Sequence, residues 1–291
     1  MHRFLLHNDQ ILEAGTRGLA AGQVGLLSGW GVFSTIRIAD GVLFAFERHW
    51  DRMRRDAGKL RVPFPPDPEW MHARLLRLVE ANNAANATMR VVVVRNHGGL
   101  WQGPGIERDF DLIAFTSPMA AWPGAVRLGV KAAARYSQSE FSSTKMLSWA
   151  QNLVWYEQAH ERGLDEFVLL NERGEIAECT SANIFAVFGN TVCTPPLSSG
   201  CLPGVTRALL LSEIRVPGFT TVERPLTPAD LEKADQVLIS STTRDLLIVE
   251  SIEGLHIRNQ GNAAAALEEA LSAYRARYVQ AHAHAQPVSG Q

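Results

Sequence analysis

The chain has 291 residues, a formal net charge of −2 and 46% apolar residues, enough for one large or two ordinary domains with cores of their own. Its basic residues are mostly arginines scattered along the sequence, which argues against a nucleic-acid or membrane-surface partner. Three cysteines without CxxC spacing (Cys179, Cys193 and Cys201) argue against a disulfide framework or a zinc site, and no apolar run is long enough to span a bilayer, so a reducing, cytoplasmic compartment is expected.

Taken in chain order, residues 24–53 predict a strand, a turn at Asp40-Gly41, a second strand and a helix with interleaved apolar and basic residues. Residues 88–105 read as a buried strand entering a Gly-rich loop, and 109–118 as another strand. Proline and small residues at 117–124 mark a linker, which predicts an N-terminal α+β domain over 1–118, a linker over 119–125 and a C-terminal domain over 126–291. The second half opens with a strand at 126–136, a loop carrying Lys145 and a helix over 148–162 closed by Gly163. Strands are predicted at 165–170, 175–179, 183–188 and 191–195, with turns at 172–174 and 189–190. A helix follows over 203–214. Thr227 as N-cap and Pro228 at the first position open a short helix, 236–241 is a strand, and 262–283 is the last helix before a frayed tail.

Only four lysines occur. A primary amine is the side chain that both condenses with an aldehyde cofactor and acts as a base in the same pocket. Lys59, Lys131 and Lys233 lie beside charged residues in stretches that read as solvated faces, whereas Lys145 follows Ser-Ser-Thr at a strand-to-helix junction. Glu178 ends a strand just before small hydroxyl residues, a place from which a carboxylate can pair with the nitrogen of a pyridine cofactor and keep the ring an electron sink. Residues 204–207, Gly-Val-Thr-Arg, put backbone N–H groups and the Thr206 hydroxyl at a helix N-terminus, where a phosphate is favoured.

In this order, Lys145, GLDEFVLL, GEIAECTSANIF, TPP and LPGVTR resemble the class IV aminotransferases of fold type IV, which use pyridoxal phosphate: branched-chain aminotransferase, D-amino acid aminotransferase and aminodeoxychorismate lyase. The resemblance runs nearly end to end, from GVFSTIRIADG to ADQVLISSTTRDLLIVESIEG. It implies a two-domain α+β fold of the D-amino acid aminotransferase type with a cofactor cleft between the domains, a homodimer, and amino acid and 2-oxo acid substrates. It further implies that Lys145 forms the Schiff base and shuttles the proton, that Glu178 pairs with the ring nitrogen and that Arg52 binds the phosphate. Val205 and Thr206 match phosphate contacts, Thr242 and Thr243 a second phosphate or substrate-carboxylate loop, and Leu202 the leucine packed on the ring. Arg95 matches a substrate-carboxylate arginine of the D-amino acid enzymes, Arg90 a different arginine of the branched-chain enzymes, and Arg37 is a further candidate. Arg90 and Arg95 lie five apart, so an ideal strand puts them on opposite faces.

Departures bear on the substrate. Trp30 stands where the family usually has Asp, Ser34 where the aminotransferases carry Glu, and Ser148 where an Asn is common. Ser34-Thr35 resembles the lyase pattern, and LPGVTR the aminotransferase one. Transamination is the leading expectation, aminodeoxychorismate lyase the alternative, and a non-catalytic pyridoxal-phosphate-binding protein a third, against which retention of both Lys145 and Glu178 speaks. His282 and His284 resemble a metal pair but belong to the tail; the Gly-rich loop lacks a nucleotide pattern and reads as a substrate-side loop; Asn183 reads as tying down a turn.

Overall fold

A computed structural model describes residues 1–16, 18, 22–100 and 106–283. Residues 101–105 of the Gly-rich loop, and the tail from His284, lie outside the described residues. The chain divides into two compact units, each described by itself. One gathers Met1–Ala120, Lys145–Trp149 and the residues from Arg275 on; the other gathers Ala121–Thr144 and Ala150–Tyr274.

The first unit contains β1 (Phe4–His7), β2 (Gln10–Glu13), α1 (Val24–Ser28), β3 (Gly31–Ala39), β4 (Val42–Leu43), α2 (Phe46–Lys59), α3 (Pro68–Ala81), β5 (Ala87–Arg95) and β6 (Phe110–Pro118). Its antiparallel sheet has the order β2-β1-β6-β5-β3-β4. Alternation along β5 sends Ala87, Met89, Val91 and Val93 into the core, where they meet Val32, Ile36 and Ile38 of β3. The same core takes Phe46, Trp50, Met53 and Ala57 of α2 at a spacing of three to four, together with Met71, Leu75 and Leu78 of α3. The β1–β2 hairpin and α3 go beyond the sequence expectations. The signal for α3 was present, since Asp67 caps it by accepting the Glu69 N–H at 3.0 Å and Pro68 occupies its first turn.

The second unit contains β7 (Ala125–Arg135), α4 (Ala150–Glu161), β8 (Glu166–Asn171), β9 (Ile176–Cys179), β10 (Asn183–Phe188), β11 (Thr191–Thr194), a 3-10 turn at Leu197–Ser199, α5 (Val205–Ser212), β12 (Thr220–Glu223), α6 (Pro228–Lys233), β13 (Gln236–Ser241) and β14 (Asp245–Ile252). A last helix, α7 (Ala263–Ala283), follows. The mixed sheet runs β12-β11-β10-β13-β14-β7-β8-β9 and is parallel at β12-β11, β14-β7 and β7-β8. Val168, Ile184, Val237, Ile239 and Val249 fill its main core, while Phe167 and Leu169 pack with Trp155 and Ala159 of α4. Thr227 is the N-cap of α6 and Pro228 stands in its first turn, as the sequence predicts, and Asp230 adds a capping box.

Two expectations differ in detail. The helix expected from 148 starts at Ala150, and residues 145–149 group with the first unit although the lysine was assigned to the C-terminal domain. Lys131 is not on a solvated face: its ammonium donates to Gln158 at 3.0 Å and lies 5.3 Å from the Phe167 ring centre and 5.8 Å from that of Trp155. The rings of Phe167 and Trp155 beside its ammonium come from β8 and α4, which sequence adjacency to polar residues does not reveal.

Candidate active site

In the first unit the lysine segment is held as a short added strand. Phe33 N–H donates to Lys145 O at 3.1 Å and Leu147 N–H to Gly31 O at 2.9 Å, with an antiparallel bridge between Val32 and Met146. Gly31 permits this approach, because a Cβ there would lie 2.5 Å from both Leu147 Cδ1 and Val93 O. Lys145 Nζ sits 4.4 Å from the Phe33 ring centre and 5.5 Å from that of Trp149, and these two rings meet edge to face at 5.8 Å.

Beside it, α2 carries a polar stripe next to its apolar one. His49, Arg52 and Asp56, spaced three and four apart, are all buried, while Arg54 and Arg55 are exposed. Arg52 Nη2 donates to Ser34 Oγ at 2.8 Å, and Ser34 Oγ is 2.7 Å from His49 Nδ1. Burial, then the charges of Arg52 and Lys145, hold the His49 imidazole neutral, well below its usual titration range. Burial also brings the Arg52 guanidinium down to about 10, against the opposing pull of Asp56. Sequence reading missed His49 and Asp56. It noticed Ser34 only as a departure.

The two candidate substrate arginines separate as strand geometry predicts. Arg90, with Phe33 and Thr35 on the face away from α2, lies with its guanidinium 4.4 Å from the Phe33 ring centre, the ring that Lys145 also touches. Arg37 is two residues further along that face of β3. Arg95 is elsewhere: it stacks 4.4 Å from Trp30 and donates to the carbonyls of His97 and Arg61. Gly98, at φ +97°, wraps closely around that guanidinium, so Arg95 anchors the start of the Gly-rich loop.

In the second unit, Glu178 at the end of β9 is fixed from both sides. Arg135 Nε donates to its Oε1 at 3.0 Å, and Leu202 N–H donates to its Oε2 at 3.0 Å. A register shift in β7 between Lys131 and Arg135, with Ala133 at φ +49°, re-aims Arg135 towards it. Asn183 Nδ2 in turn donates to Leu202 O at 2.9 Å, and a Cβ on Gly204 would fall on Asn183 Oδ1. That leaves α5 opening on bare backbone: Gly204 is its N-cap with no side-chain cap, and Val205 and Thr206 are the first, buried, helical residues.

Thr242 and Thr243 lie in the turn between β13 and β14. Asn183 pairs with Ser240, which ties this turn to the same end of the sheet as Glu178 and Leu202. Below it is a buried ion pair that sequence reading did not find. Arg244 pairs with Glu166 and donates to Ser181 Oγ at 2.9 Å, while Ser181 N–H donates to Glu166 Oε2 at 2.9 Å. This cluster locks the Thr242-Thr243 turn to the turn after Glu178.

Each unit thus presents groups suited to pyridoxal phosphate. The first has a lysine amine and a buried cation, Arg52. The second has uncapped first-turn N–H groups on α5 for an anion and a carboxylate, Glu178, whose oxygens each keep a second acceptor position for a ring N–H. Among the described residues no cluster of His, Cys, Asp and Glu is arranged to hold a metal.

Comparison with known proteins agrees. Residues 31–252 match the family model for amino-transferase class IV. A putative branched-chain-amino-acid aminotransferase of Methanocaldococcus jannaschii is 32% identical over 239 residues, covering 81% of this chain and 83% of the relative. A D-alanine aminotransferase of Bacillus licheniformis is 26% identical over 254 residues, covering 86% and 88%. In fold, the branched-chain amino acid aminotransferase of Escherichia coli superposes with a TM-score of 0.86 at 22% identity, covering 94% of this chain and 95% of that one. With the family matched across most of its length, the chain belongs to the class IV aminotransferases, pyridoxal-phosphate enzymes that move an amino group between an amino acid and a 2-oxo acid.

Proposed function

We propose that this enzyme transaminates amino acids of the branched-chain type, with Lys145 as catalytic residue and Arg90 as the substrate-carboxylate arginine. The observation that carries the choice is the shared Phe33 ring: Arg90 and Lys145 both lie 4.4 Å from its centre, whereas Arg95, the counterpart of the D-amino acid enzymes' arginine, is occupied by Trp30 and two backbone carbonyls.

When bound, pyridoxal phosphate supplies an aldehyde that condenses with amines and a protonated ring that draws electrons from the substrate Cα. The chain's residues do the rest. Lys145 Nζ takes the Cα proton and returns one on the other side of the reaction, so a single amine serves as base and then acid. Glu178, oriented by Arg135 and the Leu202 N–H, holds a proton at the ring nitrogen. In the first unit Arg52 would suit the phosphate; in the second, the first-turn N–H groups of α5 with Val205 and the Thr206 hydroxyl would suit an anion, and Leu202 and the Thr242-Thr243 turn would supply apolar and polar contacts to the cofactor. Arg37 lines the substrate side with Arg90.

A homodimer in a reducing, cytoplasmic compartment completes this reading. Exposed Leu26 and Leu27 on α1, and Leu153 and Val154 on α4, offer apolar surface for a second copy, and the three cysteines are free and buried. Supplied with 2-oxoglutarate or pyruvate, the enzyme is expected to turn over L-leucine, L-isoleucine or L-valine in ping-pong kinetics, with the cofactor spectrum changing after one half-reaction. Arg90→Ala should raise KM for the donor about tenfold while Arg95→Ala changes it little. Faster turnover of D-alanine, or pyruvate release from aminodeoxychorismate with no spectral change on adding an amino acid, overturns the proposal.

A further inference from the structure

Asp56 occupies a costly position. It lies in the last turn of α2, where a negative charge faces the helix's own unsatisfied carbonyls, and only 1% of its surface is exposed. A buried carboxylate there is disfavoured unless its partners compensate. One partner is Arg55, whose Nε donates to Oδ1 at 2.9 Å; its side chain is 39% exposed, so this pair alone is a weak reason for the burial. The other is the main chain of Lys145, whose N–H donates to Oδ2 at 3.0 Å. Asp56 also lies one helical turn after Arg52 and opposes the loss of its charge. One side chain therefore addresses both the backbone of the lysine and the buried cation.

We infer that Asp56 is a positioning residue for the transamination: its buried carboxylate accepts the Lys145 N–H and fixes the main chain from which the amine extends. The inference rests on the reading of Lys145 as the catalytic lysine. Charge and hydrogen bond separate cleanly by substitution. Asp56→Asn keeps an acceptor oxygen for the Lys145 N–H and loses the charge; Asp56→Ala loses both.

The test uses the full-length holoenzyme with added pyridoxal phosphate, reading cofactor affinity, kcat, KM and the melting temperature. Asp56→Asn is expected to keep kcat within about threefold and cofactor affinity little changed, because an acceptor for the Lys145 N–H survives. Asp56→Ala should add a fall in kcat of roughly ten- to a hundredfold with KM little changed. A merely structural role lowers the melting temperature of both variants and leaves kcat of the folded, cofactor-saturated enzyme where it is. Full kcat in Asp56→Ala overturns the inference, as does a fall in kcat in Asp56→Asn as large as in Asp56→Ala; if the alanine variant does not fold, the asparagine variant, which must hold kcat within about threefold, decides alone. Lys145→Ala runs in parallel. If it is inactive while the Asp56 variants behave as wild type, only this inference falls; if it turns over normally, the reading of the site falls and takes the inference with it.

Discussion

The two units present their candidate groups by opposite means. In the first, side chains from far apart in sequence (Ser34, His49, Arg52, Asp56 and Lys145) form a buried polar patch in which charge and protonation matter. In the second, the groups lie almost in one stretch, from Glu178 to Thr206, and much of the work is done by backbone: the Leu202 N–H, the Leu202 carbonyl and the open end of α5. The difference teaches where each is vulnerable. The first should respond to charge removal and pH, the second to anything that crowds its main chain.

Removing the amine should have the largest effect. Lys145→Ala loses base and covalent anchor together, and turnover should fall by roughly a thousandfold or more while weak cofactor binding persists. Borohydride reduction should fix the cofactor on the peptide holding Lys145; recovery on Lys59, Lys131 or Lys233 breaks the comparison at its centre. Next, Glu178→Gln keeps the Leu202 contact but not the charge. It should slow Cα deprotonation about a hundredfold, roughly 3 kcal/mol, and near-normal turnover would show the carboxylate to be purely structural.

Gly204→Ala probes the backbone side directly. Its new methyl would fall on Asn183 Oδ1, so Asn183 must release the Leu202 carbonyl or α5 must shift, at a cost of about 1 to 3 kcal/mol in stability. Thermal melts with saturating cofactor should then show a smaller cofactor-induced rise than in wild type. The smallest effect belongs to His49. Its folded-state affinity for a proton is depressed, while the unfolded chain takes one up near pH 6.5. Stability is therefore full above that pH and falls as pH drops below it, by up to about 1.4 kcal/mol per pH unit. Replacing His49 with Gln should shrink that acid limb and leave the share of His72, whose affinity for a proton is also lowered by burial.

How much was legible follows from the same contrast. The strand end at Glu178, the helix start at Gly204-Val205-Thr206 and the N-cap at Thr227 are local patterns, and the structure has these elements where the sequence predicts them. His49 and Asp56 are invisible in one dimension because a helix with several arginines reads as solvated; only the sheet packed against it decides which polar stripe is buried. Arg135 depended on a bulge at Ala133 that residue types do not announce. The Arg244–Glu166 pair joins residues 78 apart, and no local rule connects them. Lys145 was recognisable by order and rarity, yet its attachment to β3 was not.

That attachment has a consequence for dissecting the protein. The edge of β3 at Gly31–Phe33 is covered by Lys145–Leu147, while β4 pairs only with its far end at Ile38 and Ala39. A fragment ending at Ala120 would leave that edge with open N–H and C=O groups, next to Val32 and Phe33. Unpaired strand edges of that kind recruit one another. The natural boundary near residue 120 is thus a poor place to cut: such a fragment should self-associate through β3, and adding a peptide spanning 143–149 in trans should compete with that association.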